Sequence, residues 1–386
     1  MAGIQYDVNS FIRNYTLKDY GKSDAPPGTK LDCSLGVNPD PIPATVLSEL
    51  GKITEDTVKH YPHDETILDA IAKYYRNKSK GLQWLTKANI YIGDGTTDIL
   101  HNLNVLCLCH DIDTPANSKR VLGHAPQFTA FVDQVNCLGA IYDSYKMEKS
   151  NKYKFVSATY YNQMSANHSL FIVENPNNPT GQIIDLYDIE RIAKNALSMG
   201  RLLVVDEAYG DYMEIENSAI QLIKTYPNVV VTRTFSKGFG MAGIRLGYLI
   251  TSDATISDTI TQFKKVENQF NCNSIARVLG KTFLDLNTAI PDLKVISANK
   301  SMVMSVIKKM TIATTSLTTP IMTLYYDGNI PEGNLQTFLS NYVQLWTVSC
   351  ESFDQLDKKA VRLMLPKTTA IETLKSMLSK AETYLS

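Results

Sequence analysis

The sequence lacks several features that would assign it to common classes of protein. No stretch reaches the roughly 20 apolar residues that span a bilayer, and the first residues show no basic segment followed by an apolar core. No run of Lys and Arg is present, and 38 basic residues nearly balance 39 acidic ones. These absences predict a cytoplasmic protein that binds neither membranes nor nucleic acid.

Cysteine and histidine also form no recognisable pattern. The six cysteines are scattered, which excludes a disulfide framework in a chain of this length. No cluster of His and Cys has the spacing of a zinc site, so we expect no bound metal. Cys107 and Cys109 lie in an apolar segment that is typical of a buried helix. We expect both to pack in a core.

The length of 386 residues exceeds the roughly 250–300 at which single cores stop growing, so two domains are expected. Short apolar runs at residues 89–94, 119–123, 170–174, 202–206 and 229–233 read as buried strands. Helical patterns separate several of them, such as residues 186–199. This alternation predicts an α/β fold with a mainly parallel sheet.

The two ends of the chain differ from its middle. Residues 1–45 are rich in proline and predict an irregular N-terminal arm that also forms part of a small domain. Residues 46–275 would form the large domain and residues 276–386 a smaller α+β C-terminal domain. Its expected strands lie near residues 322–326, 344–348 and 360–365, and its closing helix spans about 369–385.

Two segments with glycine and polar residues follow predicted strands. Residues 93–98, Gly-Asp-Gly-Thr-Thr-Asp, lead into a helix whose free N–H groups would attract a phosphate, although in isolation an ordinary capped turn is the favoured interpretation. Residues 174–181, Glu-Asn-Pro-Asn-Asn-Pro-Thr-Gly, lie where ligands bind in open α/β sheets. Asn178 would there donate an amide to a ligand oxygen, but an unusual turn is the alternative.

A carboxylate and a lysine follow the next two strands. Asp206 ends a buried strand, where it needs a cationic partner such as a protonated pyridine nitrogen, and Tyr209 would bond a phenolic oxygen of the same ligand. Residues 234–247, Thr-Phe-Ser-Lys-Gly-Phe-Gly-Met-Ala-Gly-Ile-Arg-Leu-Gly, hold Lys237 among glycines, where desolvation favours the neutral, nucleophilic amine. Ser236 and Arg245 suit a phosphate. A structural Asp and a surface loop are the alternatives.

One further charged residue interrupts an apolar pattern. Arg362 lies within a predicted strand whose other residues are apolar, so its charge requires a reason. A bidentate contact with a carboxylate or a phosphate would supply one. An exposed position on an edge strand is the alternative.

In this order and spacing, the segments resemble the fold-type I enzymes that depend on pyridoxal 5′-phosphate (PLP), in particular the class II aminotransferases that include histidinol-phosphate aminotransferase. The lysine loop, Asn-Pro-Asn-Asn-Pro-Thr-Gly and Asp-Glu-Ala-Tyr carry the resemblance, which extends from about residue 31 to residue 362. It implies the fold-type I architecture, with a mainly parallel sheet of seven-stranded type in a large domain and a smaller α+β C-terminal domain. It also implies PLP as the cofactor.

The resemblance further implies roles for individual residues. Lys237 would hold PLP as a Schiff base and move a proton between the substrate α-carbon and C4′ of PLP. Asp206 would keep the pyridine nitrogen protonated, and Tyr209 and Asn178 would bond the ring oxygen. Phe128 would stack on the ring where the family usually has a tyrosine. The residues implied to hold the phosphate are Gly95, Thr96, Thr97, Ser236 and Arg245.

The remaining implied contacts concern the substrate and a second subunit. Gly36, Asn38 and Arg362 would contact the small-molecule substrate, an amino acid or keto acid. Tyr61 resembles the tyrosine that reaches the neighbouring subunit's phosphate, so a homodimer with shared sites is implied. The arm at residues 31–39 is closer to that of threonine-phosphate decarboxylases, which share the fold.

Three functions are compatible with these residues. An aminotransferase would move an amino group between an amino acid, or amino phosphate, and a keto acid or aldehyde. A PLP-dependent decarboxylase, or a cyclase or lyase, on the same fold is the alternative, because cofactor-binding motifs do not fix which bond at the α-carbon is broken. A non-catalytic PLP-binding regulator is disfavoured, since the segment before residue 31 is short for a DNA-binding domain and the charge is balanced.

Overall fold

The computed structural model describes residues 10–18, 24–109, 118–252, 261–287 and 290–385. The strands are β1 (Leu31–Asp32), β2 (Ile90–Gly93), β3 (Arg120–Ala125), β4 (Ile141–Lys146), β5 (Leu170–Glu174), β6 (Leu202–Asp206), β7 (Val229–Thr234), β8 (Gly247–Ile250), β9 (Thr311–Ile312), β10 (Ile321–Tyr325), β11 (Leu345–Trp346), β12 (Val348–Ser349) and β13 (Ala360–Met364). The α-helices are α1 (Ser10–Asn14), α2 (Ala44–Ser48), α3 (Glu55–Lys59), α4 (Thr66–Lys78), α5 (Thr96–Leu108), α6 (Thr129–Cys137), α7 (Ser157–Gln163), α8 (Leu186–Ser198), α9 (Thr261–Phe263), α10 (Ser274–Asp285), α11 (Leu293–Met304), α12 (Leu335–Val343) and α13 (Ile371–Tyr384). In these ranges, no helix has both the length and the apolar character that a bilayer crossing requires.

The central sheet confirms the predicted α/β architecture. Within the described residues it has seven strands in the order β2-β8-β7-β6-β5-β3-β4. The five strands from β7 to β4 are parallel to one another, whereas β8 runs antiparallel to both β7 and β2. The strand and helix patterns at 170–174, 186–199 and 202–206 were therefore interpreted correctly.

Both faces of this sheet are covered, which explains the continuous apolar runs. Phe171, Val173 and Val205 point into one apolar cluster with helices α4, α8 and α10, while Ile172 and Val204 point into another with α5 and α6. Successive residues of a strand face opposite sides of the sheet. Because each side meets helices, the strands show no alternation with polar residues.

A smaller sheet and the arm form a third apolar cluster. The order of this sheet is β12-β13-β10-β9, and it packs on helices α11, α12 and α13. The arm contributes β1, which pairs in parallel with β11, and buried Cys33, whose carbonyl accepts from the Met364 N–H at 2.9 Å. The boundaries near residues 45 and 275 stay predictions.

Two expectations for the ends of elements are wrong. Residues 344–348 do not form one strand: Gln344 has a left-handed φ of 60° at the end of α12, and the chain leaves β11 at Thr347 to join a different sheet as β12. Cys109 is exposed rather than packed in a core, because α5 ends at Leu108. Cys107 is partly buried against the α5–α6 cluster.

Candidate active site

The carboxyl ends of three adjacent parallel strands create the candidate site. Strands β5, β6 and β7 end at Glu174, Asp206 and Thr234 on the same edge of the sheet, where open α/β folds bind ligands. A cavity of about 190 Å³ lies there. It is lined by nine of the predicted site residues: Thr96, Thr97, Phe128, Asn178, Asp206, Tyr209, Ser236, Lys237 and Arg245.

One end of the cavity is suited to an anion. Gly95 has a φ of +85° and precedes α5, a helix of 13 residues whose first N–H groups have no partner within the helix. Arg245 lies beside it, since a Cβ added at Gly95 would be 2.5 Å from Arg245 Nη2. Arg245 Nη1 also donates to Ser236 Oγ at 3.4 Å. A cation, a hydroxyl and a helix start therefore converge where the sequence predicts a phosphate.

The cavity lining also includes a buried carboxylate. Asp206 is 5% exposed, and its Oδ1 accepts from Thr232 Oγ1 at 2.9 Å and from the Ala208 N–H at 3.1 Å. Burial raises the pKa of Asp206 to about 6, while these hydrogen bonds and the charge of Lys237 act in the opposite direction. A cation such as a protonated pyridine nitrogen would compensate for the burial of this charge.

The arm closes the site around Lys237. A Cβ added at Gly36 would lie 2.3 Å from the Tyr209 hydroxyl oxygen, 3.4 Å from Lys237 Nζ and 3.6 Å from Arg362 Nη1. Tyr209 donates its hydroxyl hydrogen to the Gly36 carbonyl at 3.3 Å. Only glycine permits this approach. The structure therefore brings together the predicted lysine, tyrosine and substrate-binding arginine at one point.

Arg362 links the arm to the loop after β5. It is buried in β13, and it donates to the Ser34 carbonyl at 2.6 Å and to Asn178 Oδ1 at 3.2 Å. The predicted edge-strand alternative is excluded, because β13 lies between β12 and β10. Its charge instead faces the same residues that surround Lys237.

Glu174 is a wall residue to which the sequence assigned no role. Its Oε1 accepts from the Phe128 N–H at 2.8 Å, and its Oε2 accepts from Asn177 Nδ2 at 3.0 Å and from the Asn178 N–H at 3.3 Å. Glu174 is the in-register neighbour of Asp206, and burial together with that carboxylate raises its pKa. One carboxyl group therefore fixes two loops that line the cavity. Its position at the end of a buried strand, like that of Asp206, is the signal that could have revealed it.

Five predicted residues do not line the cavity. Gly36, Gly95 and Arg362 contact residues that line it, as described above, whereas Asn38 and Tyr61 have other surroundings. Asn38 Nδ2 donates to the Gly238 carbonyl at 2.9 Å, and the Asn38 N–H donates to the Lys237 carbonyl at 3.0 Å, so Asn38 supports the backbone of the lysine loop. Tyr61 is 68% exposed and stacks on Phe270 with ring centroids 4.4 Å apart. Among the described residues, no group of three His, Cys, Asp or Glu side chains could hold a metal ion.

Comparison with known proteins identifies the family. The family model for aminotransferase class I and II matches residues 32–333. The chain belongs to this aminotransferase family. It is 30% identical over 262 residues to histidinol-phosphate aminotransferase 1 of Carboxydothermus hydrogenoformans, covering 66% of each chain. It is 32% identical over 203 residues to histidinol-phosphate aminotransferase of Clostridium novyi, covering 52% of this chain and 51% of that one. The aligned part thus spans about two thirds of the first relative and half of the second.

Solved structures of an aminotransferase and of a decarboxylase share the fold. Histidinol-phosphate aminotransferase from Sinorhizobium meliloti, in complex with PLP, superposes with a TM-score of 0.78 at 16% identity over all of both chains. L-threonine-O-3-phosphate decarboxylase from Porphyromonas gingivalis superposes with a TM-score of 0.73 at 17% identity, covering 92% of this chain and 99% of that one. The predicted family, fold type and cofactor are confirmed, and the aminotransferase class is confirmed at the level of the family.

The residues of this aminotransferase-family site fit PLP. The corner formed by Gly95, Ser236 and Arg245 suits its phosphate, Asp206 suits its ring nitrogen, and Lys237 offers an amine that could bond to its aldehyde. When bound, PLP supplies an electron sink for the bonds at a substrate's α-carbon. The chain's own residues would orient that group, hold the charge of Asp206 beside it, and present Lys237 next to Tyr209, whose ring centroid is 5.3 Å from Lys237 Nζ.

Proposed function

We propose that this chain is a PLP-dependent aminotransferase that moves an amino group between an amino acid, or amino phosphate, and a keto acid or aldehyde. The observation that carries the proposal is the convergence of Lys237, Tyr209 and Arg362 around Gly36, next to the buried carboxylate of Asp206. Lys237 would be the base that removes and returns the α-proton. Family membership supports the same reaction class.

The position of Arg362 supports an acidic substrate. A guanidinium buried beside the Lys237 amine has the geometry to bind a carboxylate or a phosphate, and such charge-assisted bonds are strong where water is excluded. The substrate class would therefore be a small amine that carries an anionic group.

The purified, PLP-loaded protein should be mixed with a panel of amino acids and amino phosphates. For an aminotransferase, a suitable donor should remove the visible absorption of the bound cofactor, and a keto acid should restore it. Stoichiometric release of carbon dioxide would instead indicate a decarboxylase. A cofactor spectrum that no amine changes would contradict both.

Replacing Arg362 with alanine should weaken the binding of substrate far more than the binding of PLP. We expect kcat/KM for the best donor to fall roughly 10- to 100-fold, because hydrogen bonds to a charged group are lost, while the Kd for PLP changes little. Arg362→Lys keeps the charge but loses the planar guanidinium. Its kcat/KM should therefore lie between those of the wild type and Arg362→Ala. Equal losses of substrate and PLP affinity would remove Arg362 from the substrate site.

We also propose that two copies of the chain share their sites as a homodimer in the cytoplasm. Tyr61 and Phe270 form an exposed aromatic pair, and aromatic residues are enriched at protein interfaces. Tyr61→Phe should weaken PLP binding about fivefold through the loss of one hydroxyl, whereas Tyr187→Phe, at another exposed tyrosine, should not. Sedimentation as a monomer, or identical Kd values for both variants, would contradict the shared site.

A further inference from the structure

Lys300 is a buried cation outside the site described above. It lies in α11 and has no exposed surface. Its Nζ donates to five oxygens that form a cage around it: Thr315 Oγ1 at 2.6 Å, the Ser316 carbonyl at 2.6 Å, the Thr319 carbonyl at 2.9 Å, Thr319 Oγ1 at 3.1 Å and the Ile321 carbonyl at 2.8 Å. Carbonyl and hydroxyl oxygens arranged in this way replace the hydration shell of a monovalent cation.

The hydrogen bonds of the cage favour an ammonium group over a neutral amine. Three of the five partners are carbonyls, which can only accept. The two hydroxyls pass their own hydrogens on, Thr319 Oγ1 to the Gly181 carbonyl at 2.6 Å and Thr315 Oγ1 to the Ile321 carbonyl at 3.3 Å. All five oxygens therefore accept hydrogen bonds from Lys300 Nζ. An ammonium group, with three N–H donors, satisfies these acceptors better than a neutral amine with two. Burial lowers the pKa of Lys300, and the oxygen cage opposes that effect.

The cage packs directly on the loop that carries Asn178. Gly181 has a φ of +74°, and a Cβ there would meet three cage atoms: Ile321 O at 2.2 Å, Thr319 Oγ1 at 2.7 Å and Thr315 Oγ1 at 2.9 Å. The Ser316 N–H also donates to the Gly181 carbonyl at 2.9 Å, and Thr323 Oγ1 donates to the Pro179 carbonyl at 3.0 Å. The loop is thus held by the cage at Gly181 and by Glu174 at Asn177 and Asn178.

We propose that Lys300 is a positioning residue whose ammonium group acts as an internal monovalent cation, ordering residues 315–321 so that they hold Gly181 and Asn178 against the cofactor site. The cage would accept a small alkylammonium ion when the lysine side chain is removed. The link to PLP rests on the proposed function, whereas the cation cage itself does not.

Two variants separate the charge from the packing. Lys300→Ala removes four side-chain atoms that propylammonium can replace, whereas the side chain of Lys300→Met fills the same space. Both should lower the Tm of the PLP-free protein by roughly 5–10 °C, because the cage oxygens lose their donor. Added propylammonium should recover most of the lost Tm in Lys300→Ala but not in Lys300→Met. It should likewise return the Kd for PLP toward the wild-type value in Lys300→Ala only. Tetramethylammonium, which has no N–H, should restore neither variant at equal ionic strength.

The proposal is overturned if both variants respond equally to propylammonium, or if Lys300→Met is as stable as the wild type. Should Lys300 variants not fold, Thr319→Val removes one cage oxygen and the bond to Gly181, and it should weaken PLP binding about fivefold. Thr318→Val, outside the cage, is its control, and equal Kd values would overturn the proposal. A wild type that binds no PLP would refute the proposed function and leave the Tm experiment as the test of the cage.

Discussion

Replacing Lys237 with alanine is expected to abolish transamination, lowering kcat by at least about 10⁴-fold. Alanine offers neither the amine that bonds to PLP nor a base for the α-proton. The other residues that line the cavity remain, so PLP should still bind reversibly through the Gly95–Arg245 corner. Turnover with a donor and a keto acid, and the Kd for PLP, measure the two effects separately.

An exposed lysine that does not line the cavity provides the matched control for this substitution. Lys224→Ala removes an exposed amine remote from the cavity lining and should leave both turnover and the absorption of bound PLP at wild-type values. If Lys237→Ala retained substantial turnover, or still yielded a PLP adduct stable to borohydride, the assignment of this lysine would be refuted.

Asp206→Asn is expected to lower kcat roughly 10²- to 10³-fold, as does the loss of a single electrostatic stabiliser in other enzymes. The amide can still accept from Thr232 Oγ1 and the Ala208 N–H, so the local fold should persist. It carries no charge to stabilise a protonated ring nitrogen. Asp206→Glu, which restores the charge with a longer side chain, should recover part of the activity, and full activity in Asp206→Asn would contradict the role of the carboxylate.

The same substitution should have the opposite effect on the PLP-free protein. The folded-state pKa of Asp206, about 6, lies above the ordinary value of 3.8. The folded state therefore binds more protons between these values, and stability falls as pH rises through that window, by about 3 kcal/mol in total. Asp206→Asn removes this cost. Its Tm should exceed that of the wild type above pH 6 and approach it below pH 4; parallel pH profiles would contradict the buried-charge argument.

Much of the fold is readable from sequence because its central strands are apolar on both faces. Strands β5 and β6 were predicted at their observed bounds. In contrast, β4 was not predicted, since it is an edge strand that includes Asp143, Ser144 and Lys146 and is only partly buried. The antiparallel β8 was also not predicted, because it directly follows the glycine-rich lysine loop. The partial burial of β4 therefore leaves a weaker apolar pattern in the sequence.

The site was predictable where chemistry depends on residues that are close in sequence. The lysine loop and the segments after β5 and β6 can be recognised from their local composition. The contacts of Glu174 with Phe128 and of Lys300 with residues 315–321 depend instead on how distant segments pack. Asn38 illustrates the same limit, since only the fold reveals that its amide bonds the Gly238 carbonyl.

The central claim is that one amine, Lys237, bonds covalently to PLP, and peptide mapping tests it most directly. The PLP-supplemented protein should be purified, reduced with borohydride, digested and analysed by mass spectrometry. The expected result is a coloured protein before reduction and one PLP-modified peptide that contains Lys237. A colourless protein with no modified peptide, or a modification at another lysine, would contradict the account.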